Sequence, residues 1–69
     1  MITRKDVYSK VVGLQENGHN IGAESHGNPR RIYITSKDQS RNFAGGLTPR
    51  EAMLWIDGYI EGLWTHQIQ

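Results

Sequence analysis

The chain has 69 residues, eight Lys and Arg against seven Asp and Glu, and no cysteine, which allows one domain (1–69) with neither a disulfide frame nor a thiolate metal site to support its core. No apolar run approaches the roughly 20 residues of a membrane span, and the opening MITRKDVYSK lacks the apolar centre of a signal peptide, so a cytoplasmic protein making no membrane contact is expected. The small net charge hides an uneven layout: Arg30, Arg31, Lys37, Arg41 and Arg50 face only Asp38 in the middle of the chain, while Glu51, Asp57 and Glu61 follow without any Lys or Arg.

Thr3 is placed to cap a helix, with Asp6 as a shortened capping-box acid and Ile2 set to staple onto Val7. At 100° per residue Val7, Tyr8, Val11, Val12 and Leu14 share an apolar arc of roughly 160°, opposite Arg4, Lys5, Ser9, Lys10 and Glu16. Gly18, in ENGHN, stands where a helix ends on a left-handed residue.

NIGAES and RRIYITS then read as short strands joined by the turn chemistry of HGNP, an antiparallel hairpin. Period 2 sends Ile32 and Ile34 to one face and Arg31, Tyr33 and Thr35 to the other. KDQS turns the chain again, and RNFA is placed to return as a third strand with Phe43 inward, before AGG stops it; whether residues 40–44 form that strand is left open by the pattern.

LTPRE opens the last helix: Thr48 as cap, Pro49 at the first helical position and Glu51 as the box acid. Ala52, Met53, Ile56, Tyr59, Ile60, Leu63 and Trp64 occupy an arc of roughly 140°, enough to cover one side of a small sheet, and the helix is expected to run to about Thr65. The expected fold class is α+β, in the order α-β-β-(β)-α, with an antiparallel sheet and both helices packed on one face.

Three residues of the last helix fall outside its apolar stripe. Trp55 lies roughly 110° from the stripe's centre, and Gly58 and Gly62 share its side. A glycine inside a helix costs about 1 kcal/mol relative to alanine, so two of them beside an indole suggest close approach of a partner. Trp55, Gly58 and Gly62 are therefore the expected partner-binding face, most simply in a homodimer, with packing on the protein's own first helix or sheet as the alternative. The basic hairpin is the expected ligand face. Arg30, Arg31, Tyr33 and Arg41 combine guanidinium forks with an aromatic ring, which suits a small anionic, nucleotide-type ligand, and nucleic acid as a second reading.

Catalytic chemistry is not expected. His19, His26 and His66 lack metal-ligand spacing, Asp57 and Glu61 read as a solvated helix face, and the glycine-bearing loops lack a strand-loop-helix setting for phosphate. No metal and no cofactor are implied.

With the helix, the HNIGAESHGNPRRIYI hairpin and the LTPREAMLWIDGYIEGL helix in place, the chain resembles small accessory proteins of phage and prophage genomes. The resemblance is one of pattern and covers most of the chain. It implies a non-enzymatic role in anti-defence: inhibiting a host protein, sequestering a nucleotide-derived signal, or touching nucleic acid.

Overall fold

The computed structural model describes the backbone of residues 1–68 and the side chains of residues 1–62. The elements run α1 (Arg4–Glu16), β1 (Gly22–His26), β2 (Arg31–Thr35), β3 (Asn42–Leu47) and α2 (Pro49–Ile68). The three strands form one antiparallel sheet in the order β1-β2-β3. Residues 42–44 of the segment left open by the sequence pattern do pair with β2, and α2 extends three residues past the expected end.

Both helices start on the capping boxes that their sequences encode. Thr3 N–H donates to the Asp6 carboxylate at 2.8 Å and Thr3 Oγ1 accepts the Asp6 N–H at 3.3 Å. At α2, Thr48 N–H donates to Glu51 Oε1 at 2.9 Å and Glu51 N–H returns to Thr48 Oγ1 at 3.2 Å. In each box the threonine N–H, then its hydroxyl, holds the carboxyl below its ordinary pKa. Helix α1 ends as ENGHN requires, with Gly18 at φ +84°. Its N–H donates to Gln15 O and that of His19 to Leu14 O, so the last turn's carbonyls are satisfied.

A single cluster forms the core: Val7 and Val11 of α1, Ile21, Ile32 and Ile34 of β2, and Ala52 and Ile56 of α2. Because Ile32 and Ile34 project from one side of β2 and both helices meet them there, the other side of the sheet has no helix on it. Two side chains assigned to the interior lie further out. Val12, about 100° round α1 from Val11, is 48% exposed because only the middle of the apolar arc faces the sheet. Phe43 is 43% exposed, and the reason is the path of β3.

The register pairs Ile32 with Leu47, Ile34 with Ala44 and Thr35 with Asn42, so β3 holds one residue more than β2 in each interval. Gly46, at φ +68°, accommodates the first bulge, in a backbone region that glycine enters freely. The second displaces Phe43 from the regular alternation. Leu63 and Trp64, also expected in the core stripe, lie outside the residues whose side chains are described.

The turn between β2 and β3 is knit by its own polar groups. Asp38 Oδ1 accepts from Ser36 Oγ at 2.7 Å, Ser40 Oγ at 2.7 Å and Ser40 N–H at 3.1 Å, while the buried Ser36 Oγ also accepts the Arg41 N–H at 3.1 Å. Lys37 N–H reaches Asn20 Oδ1 at 2.9 Å, tying this turn to the α1–β1 connection. The donors lower the Asp38 pKa from 3.8 to about 2, Ser36 Oγ contributing most and Ser40 next. A carboxyl depressed by folding stabilises the folded state above its unfolded pKa and ceases to do so as pH falls through the folded value. Asp38→Asn is expected to destabilise the protein at pH 6, and its deficit relative to wild type should shrink between about pH 4 and pH 2, as measured by urea unfolding at each pH.

Candidate functional site

The open side of the sheet is built on the β1–β2 hairpin. Gly27–Arg30 form the connection, with Gly27 at φ +97° and a cis Asn28–Pro29 bond, and leave His26 opposite Arg31, Glu24 opposite Tyr33 and Gly22 opposite Thr35. Directly opposed residues share a face, so Glu24 and His26 join Arg31 and Tyr33 on the side away from the helices. The rings of His26 and Tyr33 stack with centroids 4.0 Å apart and planes 8° from parallel. His26 Nε2 lies 3.5 Å from Glu24 Oε1.

Across β2 from that pair, Gly45 leaves the space into which the Tyr33 ring fits. A Cβ there would come within 2.7 Å of Tyr33 Cδ1. The sheet thus presents a stacked aromatic pair bordered by all three strands, with the exposed residue Arg31 directly opposite His26 in the register. The Arg31 charge also reaches Glu51 at the start of α2, where it adds to the lowering of that carboxyl.

Four residues were expected to form one ligand face, and the fold divides them. Arg31 and Tyr33 lie together on the open side of β2. Arg30, one residue earlier, belongs instead to a groove along α1. Arg41 closes the far turn, its carbonyl accepting the Ser36 N–H at 3.0 Å, so it stands the length of β2 away from Arg31, roughly 17 Å at strand rise. Thr35 is 2% exposed despite its outward position, because the backbone of Gly22 closes against it and Ser36.

The expected partner face is also divided. Trp55 is half-buried and packs against the core of its own chain. It lies about 60° from Ala52 and about 100° from Ile56 on the helix, at the flank of the buried stripe. Its ring is parallel to that of Phe43 at 6.4 Å and to that of Tyr59 at 5.8 Å, and Tyr59 meets His19 edge-on, its hydroxyl 3.4 Å from His19 Nδ1. Gly58 and Gly62 remain outside this row. Both are exposed, and an added Cβ at either would meet nothing within 4 Å. Their conformational cost therefore has no return within the described part of the chain.

Sequence reasoning overlooked His26, Glu24 and Gly45. The first two were within reach, since counting back from Arg31 across a four-residue turn places them on its face. Gly45 was not, because its position under Tyr33 depends on the bulged register of β3. Among the described residues no group of three or more His, Cys or carboxylate side chains is placed to hold a metal ion, and no helix is long and apolar enough to cross a membrane.

The glycines separate by substitution. Gly45→Ala should cost about 1 to 3 kcal/mol by forcing the Tyr33 ring off its seat, whereas Gly58→Ala and Gly62→Ala should each add about 1 kcal/mol to the stability of the monomer, both read from chemical denaturation. Trp55→Ala should cost about 2 kcal/mol, less than for a fully buried indole, with near-ultraviolet circular dichroism reporting loss of the Phe43–Trp55–Tyr59 stack. Comparison of the chain with family models, curated proteins and solved structures returns no match in any of the three.

Proposed function

We propose that this chain is a binding protein without a catalytic step of its own, and that its open sheet face holds a small nucleotide-type anion. The observation that carries this reading is the parallel His26–Tyr33 pair beside Arg31 on the side of the sheet that no helix covers. A base offers a flat π-face to such a pair, and a phosphate offers a guanidinium the forked geometry it binds best. Gly45 supports the same reading, since its missing side chain leaves the space that the Tyr33 ring occupies. Arg30 and Arg41 add positive potential from either end of the hairpin and are not assigned direct contact.

Sequestration of a nucleotide-derived signal by a phage-type accessory protein is the role this proposal adopts, in keeping with the pattern-level resemblance. Assembly as a homodimer through the open notch of Gly58 and Gly62 belongs to the same proposal. It would leave the sheet face of each copy free, because the notch lies on exposed α2.

Calorimetric titration with adenosine diphosphate, and fluorescence anisotropy with a labelled oligothymidylate at two salt concentrations, test the reading. Stacking contributes about 1 to 3 kcal/mol per base, so Tyr33→Ala should weaken the diphosphate roughly 5- to 150-fold, and Arg31→Ala should weaken it with a shallower salt dependence. Equal affinity of wild type and Tyr33→Ala would overturn the sheet-face site. Preferential retention of the oligonucleotide, with a steep loss on adding salt, would move the assignment to nucleic acid.

A further inference from the structure

We propose that the groove along the outer side of α1 is a second, separate binding site, which takes a small phosphate ester. The groove is shallow and open to solvent, with a volume of about 690 Å³, room for a metabolite-sized molecule lying along it. Its walls come from α1, from the end of β1 and from the β1–β2 turn, and do not include the His26–Tyr33 pair.

The charges along it are sorted by position. Arg4 and Lys5 stand at its α1 N-terminal end. Arg30 joins from the turn, which is held against the same end because the Tyr8 hydroxyl hydrogen-bonds Ser25 Oγ on β1. Three cations, two from α1 and one from the turn, thus line the same groove as a bonded pair of hydroxyls. The nearest acid in sequence, Asp6, is engaged by the Thr3 N–H and does not line the groove. Among the described residues the only carboxylate that does is Glu16, twelve residues from Arg4 and therefore about 18 Å along the helix. A dianionic phosphate fits the first end, where arginine forks meet its oxygens, and the ligand body extends from there toward the middle of the groove.

Between the ends lie Val12 and Gly13. A glycine in mid-helix costs about 1 kcal/mol relative to alanine, and the fold gives Gly13 no reason to be there: an added Cβ would meet nothing within 4 Å, and the residue has ordinary helical backbone. Gly18, Gly27 and Gly46 answer to positive φ, and Gly22 and Gly45 to close neighbours. Gly58 and Gly62 share the open surroundings of Gly13 but are not among the residues that line this groove. At position 13 the missing side chain widens the groove, and the half-exposed Val12 beside it offers an apolar surface for the ligand's carbon skeleton.

The test uses the full chain and ribose 5-phosphate, which lacks the base that the sheet face needs, with unphosphorylated ribose as control. In amide correlation spectra, ribose 5-phosphate should shift the signals of Lys5, Ser9, Gly13 and Arg30 and leave Tyr33 in place, and ribose should bind at least tenfold more weakly. Gly13→Leu fills the groove with a good helix former and should weaken binding tenfold or more while its thermal midpoint stays at or above that of wild type. Arg30→Glu, on an exposed turn, provides the same loss by charge should the leucine variant misfold. Tyr33→Ala should leave this affinity unchanged, so failure of the sheet-face reading and failure of this one are distinguishable. Unchanged affinity in a folded Gly13→Leu or in Arg30→Glu, equal binding of ribose and its phosphate, or no shift at these amides at millimolar ligand overturns the proposal.

Discussion

Everything in this fold depends on the packing of Ile32 and Ile34 against Val7, Val11, Ala52 and Ile56. The strand that carries the two isoleucines is the central one, and its alternation commits one side of the sheet to the interior and the other to solvent. Among the described residues the fully buried apolar side chains all belong to this one cluster, and none is left to build a second layer on the opposite side. The open face is thus a direct consequence of how little hydrophobic material the chain has, and it is where flat aromatic and charged side chains collect.

The hairpin connection acts as a ridge between two surfaces of different character. Arg30 and Arg31 are consecutive, yet one lines the groove beside α1 and the other lies on the sheet's open side. That divergence follows from the end of the turn coinciding with the start of β2, where alternation begins. Arg30 and Arg31 thus put positive charge on both surfaces, and each surface also carries one carboxylate, Glu16 in the groove and Glu24 on the sheet face.

Much of the architecture was legible in the sequence because it is specified locally. Thr3 with Asp6, and Thr48 with Pro49 and Glu51, mark helix starts through groups three residues apart, and Gly18 marks an end through its own backbone freedom. The alternation of Ile32, Tyr33 and Ile34 fixed the strand's two sides. Where the reading fell short, the deciding information was a register between distant segments. The bulges in β3 move Phe43 toward the helix, and Phe43 gives Trp55 a neighbour within its own chain, so an indole that looked reserved for company is largely occupied at home. The division of Arg41 from Arg31 is of the same kind: nearness in sequence across a strand and a turn became separation along the strand's length. The groove along α1 could not be read at all, since its walls meet only once β1 has folded back on the helix.

A three-stranded sheet has two outer edges, and each could recruit a stray strand from a neighbouring molecule. The double irregularity of β3 spoils the spacing of hydrogen-bonding groups that such recruitment requires, and its left-handed Gly46 bends the chain away from a straight ribbon. Only β1, five residues long and closely backed by α1 through Tyr8 and Ser25, keeps a regular rim. The same distortions that redirect one aromatic ring therefore also protect a very small protein from polymerising edge to edge.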